Sequence, residues 1–180
     1  MQIVLTADPN LIGRLIRWFT KISWVGKGRV SHVALRYGRE ESNWMIEANE
    51  RGFVPNWWTY FVKKRHVYAK FEVLGIDESL LEKIVDEQID VLINRPYDYG
   101  NLIGFALTIL WYKLTGKRTK NFLAFPRLFA CSEIVYRIFT EVKNQTGIDY
   151  LGDYDPEQIF PEQILQECEN KPGLFRLVTN

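Results

Sequence analysis

Two cysteines (Cys131, Cys168) and two histidines (His32, His66) are the only thiols and imidazoles in the 180 residues, so chemistry needing either group has few candidates. The chain has no CxxC, no His pair at helical spacing and no Cys and His cluster of the kind tetrahedral zinc requires. No metal and no cofactor are therefore expected, and a disulfide framework is out of reach. Nucleophilic catalysis remains. Cys131 lies in Phe129-Ala-Cys-Ser-Glu-Ile-Val135, at the first turn of an expected helix, where unpaired backbone amides and the helix dipole favour a thiolate, the reactive form of cysteine. It also shares an apolar stripe with Val135, Ile138 and Val142, the place of a small buried hydrophobe, and spacing alone leaves both readings open. Cys168, near the end of an acidic helix that would raise its pKa, is the weaker candidate.

A cysteine nucleophile needs a base, normally a histidine oriented by a third polar group. His32 opens the strand-like run Ser31-His-Val-Ala-Leu-Arg-Tyr37. Side chains alternate across a strand, which sets His32 and Ala34 on one face and Val33, Leu35 and Tyr37 on the other. In the next run, Trp44, Ile46 and Ala48 form one set and Met45, Glu47 and Asn49 the opposite one. Pairing the two apolar sets puts Glu47 and Asn49 on the face of His32. Taken singly, His32 is equally a polar strand end and Glu47 a solvated carboxylate. His66 follows Lys63-Lys-Arg65, a run read as a solvated basic loop, as is Lys117-Arg-Thr-Lys120.

These residues need elements to hold them. Strands are predicted at Ile3 to Leu5, in a hairpin of Val33 to Tyr37 with Trp44 to Ala48, and at Gly52 to Trp58 and His66 to Leu74, with a short helix near Thr59 to Lys63. Asp77 caps a helix ending before Pro96. Asn101 to Leu114 is predicted as a mostly buried helix, followed by helices over about Cys131 to Asn144 and Pro156 to Glu169 and a closing strand at Phe175 to Val178. Strands early and helices late point to α+β. Leu11, Ile12, Leu15, Ile16 and Phe19 recur at helical spacing with Arg14, Arg17 and Lys21 between them, an amphipathic helix expected to pack on the core with a wet basic edge.

Composition narrows the class. With 47% hydrophobic and 25% charged residues the chain reads as one globular domain over residues 1–180. A net charge of +1 gives no global reason to bind nucleic acid, although residues 1–70 carry +7 and residues 71–180 carry −6. No signal peptide is visible at the start, and Leu102 to Trp111 is too short to span a bilayer, so a cytoplasmic protein without an integral anchor is expected. No GxSxG, GxGxxG or phosphate-cradling glycine loop is present.

Read in order, Leu11 to Tyr37, Met45-Ile-Glu-Ala48, Gly52-Phe-Val54, Arg95-Pro-Tyr-Asp-Tyr99 and Ala130-Cys-Ser-Glu-Ile-Val135 resemble the YiiX-like proteins of the circularly permuted, NlpC-type papain-like branch, relatives of lecithin retinol acyltransferase. The resemblance implies a papain-like fold in which an antiparallel sheet packs against the nucleophile's helix. It implies Cys131 as nucleophile, His32 as base and then acid, and Glu47 as orienting group, with Tyr97 and Tyr99 near the cleft. Three functions are compatible with these residues. The first is a cysteine hydrolase cleaving amide bonds of peptide, amino-acid-derived or cell-wall-type substrates. The second is a lipid acyltransferase or esterase whose basic helix touches membrane, leaving peripheral membrane contact open. The third is an inert binding module.

Overall fold

The computed structural model describes residues 1–38, 44–49, 52–93, 99–117, 119 and 130–179. Its framework is a six-stranded antiparallel sheet in the order β4-β3-β2-β1-β5-β6, formed by β1 (Gln2–Thr6), β2 (His32–Tyr37), β3 (Trp44–Asn49), β4 (Gly52–Trp57), β5 (Val67–Val73) and β6 (Phe175–Leu177). The helices are α1 (Leu11–Ile22), α2 (Trp58–Lys64), α3 (Glu78–Leu92), α4 (Tyr99–Thr115), α5 (Cys131–Thr146) and α6 (Pro161–Asn170). The expected α+β class and every predicted element are present, with no end shifted by more than five residues. Asp77 caps α3 as anticipated, its side chain accepting from the Leu80 amide at 3.0 Å.

Strand alternation divides the core. Val33, Leu35, Ile46 and Ala48 turn to one face, where Cys131, Val135, Ile138 and Val142 of α5 meet Leu81, Ile84 and Val85 of α3. Val4, Ala34, Met45 and Phe61 form a smaller cluster on the other face, closed by α2. The β2–β3 ladder pairs Leu35, Arg36 and Tyr37 with Ile46, Met45 and Trp44, while His32–Ala34 pair with β1 and Glu47–Asn49 with β4. The sheet thus opens between β2 and β3 at the end where α5 begins.

Two helices depart from expectation. Much of the apolar side of α1 stays outside the core: Leu11 is 72% exposed and Trp18 54%, with Ile12 and Leu15 also outward, while Gly13 and Thr20 face in and Phe19 and Ile22 pack against Ile109 and Phe160. The cause is close approach. A Cβ at Gly13 would stand 2.6 Å from the Asp8 carbonyl oxygen, so the loop before the helix packs only against a glycine. Thr20 is buried at little cost because its hydroxyl donates to the Ile16 carbonyl at 2.7 Å. Helix α4, predicted as mostly buried, also leaves Ile103, Leu107, Leu110, Trp111 and Leu114 exposed. Among the described residues no helix is long and apolar enough to cross a membrane.

Candidate active site

Helix α5 starts at Cys131 because Ala130 is extended and offers no side-chain cap. The amides of its first turn therefore lack both intrahelical and side-chain acceptors from the cap, and they point at the thiol's end of the helix. Cys131, His32 and Glu47 are all buried, at 4%, 5% and 4% exposure. The structure brings the three together. Cys131 lies beside the His32 ring and the Val33 backbone N–H, both of which lower its pKa, and Val33 is on the stretch of β2 that makes no ladder with β3. On the far side of the ring, His32 Nε2 lies 3.0 Å from Glu47 Oε2, which leaves Nδ1 for the thiol. Strand parity accounts for the second contact: extending the β2–β3 register sets His32 opposite Asn49 and Glu47 opposite Ala34, diagonal neighbours on one face.

Glu47 is held on both oxygens. Oε1 accepts from Asn49 Nδ2 at 2.9 Å and from Asn56 Nδ2 at 3.0 Å, and Oε2 accepts from Arg65 Nη2 at 3.1 Å as well as facing His32. Arg65 also pairs with buried Asp8. Asp8 is itself fixed by the Thr6 hydroxyl at 2.9 Å and donates its own amide to Ser31 Oγ at 3.0 Å. Arg65 corrects the sequence reading of Lys63 to Arg65 as a solvated loop. Lys63 and Lys64 end α2 and are exposed, but the Arg65 side chain turns inward between two carboxylates. Neither Arg65 nor Asp8 was singled out from the sequence. The available signal was physical: two acids destined for buried positions demand a cation, and the basic run beside them supplies one.

Electrostatics follow from these contacts. Burial by itself raises a thiol's pKa, yet the His32 charge and hydrogen bond, the Val33 amide and the Arg65 charge hold Cys131 below its ordinary value. Burial likewise disfavours an imidazolium, but the Cys131 charge and hydrogen bond, with Glu47 behind, lift His32 to about 9 despite Arg65. For Glu47 the burial penalty is outweighed by His32, Arg65 and Asn56, and the carboxyl falls to about 2. Directions agree across the three groups: each is shifted toward its charged form.

The remaining sequence candidates lie elsewhere. Cys168 is buried on α6, with its pKa raised by burial and then by Glu167 and Glu169. His66 is exposed just before β5. Tyr97, the side chain of Tyr99 and most of the Tyr112 to Arg127 insert lie outside the described residues. A cavity of about 70 Å³ beside His32 is lined by Ile12, Gly13 and Ile16 of α1 together with Asp8, Ser31, Asn49 and Arg65. A larger one of about 360 Å³ shares Asn10, Asn49 and Arg65 with it and extends to Tyr60 and Lys64.

No protein-family model matches the chain, and no curated protein matches it in sequence. Among solved structures, the crystal structure of metalloprotein yiiX from Escherichia coli O157:H7 is similar in fold, with a TM-score of 0.51 over 99% of this chain and 87% of that one, at 12% identity. The YiiX-like resemblance drawn from the motifs is thus present in three dimensions.

Proposed function

We propose that the protein is a cysteine hydrolase of the permuted papain-like kind, acting on an amide bond through Cys131, His32 and Glu47. The observation that carries this reading is the buried cluster itself, with Cys131 beside His32 and Glu47 3.0 Å behind the ring, where the thiol's pKa is lowered although burial alone would raise it. In the first half-reaction the Cys131 thiolate attacks the substrate carbonyl carbon and forms a C–S bond, and the negative charge moves to the carbonyl oxygen, where the Cys131 amide at the start of α5 can donate. His32 gives its proton to the leaving nitrogen as the C–N bond breaks, and the amine departs. In the second, neutral His32 takes a proton from water, the hydroxide attacks the thioester, and the C–S bond breaks to return thiolate and imidazolium. Glu47 keeps the ring's Nδ1 aimed at sulfur and stabilises its charged form.

The similar fold belongs to a metalloprotein, and a metal fits this site poorly. Glu47 already uses its oxygens on His32, Arg65, Asn49 and Asn56, and the Arg65 guanidinium stands between Glu47 and Asp8, where a cation would sit. Among the described residues no group of three or more His, Cys, Asp or Glu is placed to hold one. No step of the proposed chemistry runs through a metal.

A second reading, transfer of an acyl group to or from a lipid ester, draws support from Ile12 and Ile16. They line the cavity at His32 from the same helix that exposes its apolar side chains. Both readings pass through a thioester on Cys131, and the acceptor separates them. Incubation with a p-nitrophenyl acyl ester, followed by intact mass and peptide mapping, is expected to trap the acyl group on Cys131. Turnover that persists in Cys131→Ala would overturn the proposal.

A further inference from the structure

We propose that the cavity of about 360 Å³ between α2, β3 and β4 receives a carboxylate carried by the leaving amine of the substrate, so that the bond cleaved is that of an N-acylated amino acid or the C-terminal bond of a peptide. The inference rests on the proposed hydrolase chemistry and adds the class of substrate. Position comes first. Cys131 and α5 pack on one face of the sheet, whereas the cavity is walled by Glu47 and Asn49 of β3, Asn56 of β4 and Tyr60 and Lys64 of α2, the helix that closes the other face. The smaller cavity beside His32 shares Asn10, Asn49 and Arg65 with it, so adjoining space runs from the imidazole toward Lys64. During amide cleavage the acyl group stays on sulfur while the departing amine takes its proton from His32. A cavity on the His32 and Glu47 side is therefore placed to hold the substituent of the amine and not the acyl chain. The C–N bond breaks as described above, and the product that departs is an amino acid.

Charge and hydrogen bonding select the carboxylate. Among the described residues the cavity is lined by two cations, Lys64 and Arg65, and one anion, Glu47. Glu47 faces His32 and accepts from Arg65, Asn49 and Asn56, and Arg65 divides its guanidinium between Glu47 and Asp8, so these charges are already matched. Lys64 is not: among the described residues it forms no ion pair, and its ammonium stands 4.4 Å over the Tyr60 ring. A cation–π contact of that kind keeps the ammonium at the cavity wall without neutralising it. Asn10 spends its Oδ1 on the Gly13 amide at 2.7 Å, and Asn56 spends one hydrogen of Nδ2 on Glu47, which leaves both side chains with N–H groups to offer. What remains for a ligand is thus a cation and carboxamide donors, the complement of an anion with two acceptor oxygens. Pro55 and the Tyr60 and Phe61 rings supply apolar wall for the carbon skeleton, in a volume typical of small-molecule sites.

NMR titration of the full chain carrying Cys131→Ala, with N-acetyl-L-alanine and with its uncharged amide, tests the proposal without requiring turnover. The acid is expected to bind at least about tenfold more tightly than the amide, to shift the side-chain amide signals of Asn10 and Asn56, and to lose at least about tenfold in affinity when Lys64→Glu is added. Lys63→Glu makes the same charge change one residue away, outside the cavity wall, and should leave the affinity within about twofold. Both lysines are exposed at the end of α2, and unchanged circular dichroism and thermal midpoint establish that the fold persists. Equal affinity for acid and amide, absence of binding by the acid, or equal losses in the two lysine variants would overturn the proposal. The two possible failures read differently. Missing selectivity removes this subsite and leaves the chemistry at Cys131 standing, whereas an acyl group that cannot be trapped on Cys131 removes the catalytic reading, and this proposal with it, even where selective binding persists.

Discussion

Cys131 and Cys168 are buried to nearly the same extent, both on helices, yet their thiols are driven in opposite directions. Burial acts alike on both and pushes each upward. The difference lies in position along a helix and in neighbouring charge. Cys131 is the first residue of α5, at the positive end of the dipole, and meets His32, the Val33 amide and Arg65. Cys168 is in the last turn of α6, at the negative end, between Glu167 and Glu169. The contrast teaches that a buried thiol's pKa falls only where surrounding dipoles and cations exceed the desolvation cost, a condition met at Cys131 and opposed at Cys168.

The largest expected consequence of that difference is catalytic. His32→Ala is expected to lower turnover by about 10²- to 10⁴-fold and to raise the Cys131 pKa, whereas Cys168→Ala should leave turnover unchanged. Comparing steady-state rates of the two variants on one acyl substrate breaks the comparison if Cys168→Ala proves the slower. Next in size is Arg65→Met, which leaves buried Asp8 without its cation and takes one of four partners from Glu47, and should cost about 3–5 kcal/mol of stability. For a chain of this length that is a fall in thermal midpoint of roughly 10 °C, and it should shrink on acidification as Glu47, no longer beside the guanidinium, takes up a proton. A deficit that stays constant from neutral pH to pH ~4 would show that Arg65 holds the site by packing alone.

Smaller effects concern protonation. Glu47 lies below its ordinary value of 4.5, at about 2, so its contribution to stability is present above 4.5 and disappears as pH falls from 4.5 through 2. His32 lies above its ordinary value of 6.5, at about 9. Its contribution is whole below 6.5 and is lost as pH rises through 9, and turnover should decline on that same alkaline limb as the proton donor disappears. The shift belongs largely to the thiolate, so in Cys131→Ala the His32 ring, followed by NMR, should titrate lower than in the wild type. An unmoved titration would assign the shift to Glu47 instead. The smallest expected effect is Gly13→Ala on α1: the new Cβ meets the Asp8 carbonyl at 2.6 Å and must displace the loop that fixes Arg65, seen as a modest loss of thermal stability.

Much of this site could be read from the chain because its parts obey short-range rules. The parity of His32 and Glu47 needs only the two-residue period of a strand and two apolar sets to pair, and the placement of Cys131 needs only the onset of a helix. Arg65 could not be read in that way. Its partners Asp8 and Glu47 lie 57 and 18 residues away, and nothing local distinguishes an inward arginine from the exposed lysines beside it. The outward face of α1 was likewise hidden, since periodicity reports that a helix has an apolar side and not what that side faces. The usual inference, that the apolar side faces the core, holds for Phe19 and Ile22 and fails for Leu11, Ile12 and Leu15, where glycine and threonine supply the closer contact. For α4, high hydropathy predicts burial, yet Ile103, Leu107, Leu110, Trp111 and Leu114 are exposed, because hydropathy does not report which side of a helix the protein covers.

The central claim is that Cys131 is held as a thiolate while an equally buried cysteine is not. The rate of iodoacetamide alkylation at each cysteine, mapped by mass spectrometry from pH 5 to pH 10, tests it directly. At pH 6 an ordinary thiol of pKa about 8.5 is less than 1% thiolate. A thiol ionised at that pH should therefore react about tenfold faster after allowing for the lower nucleophilicity of a low-pKa sulfur. The account predicts alkylation of Cys131 that persists to pH 6 and negligible alkylation of Cys168 until the chain unfolds. A Cys131 whose reaction rises only with a midpoint near 8.5, or that reacts no faster than Cys168, would contradict it.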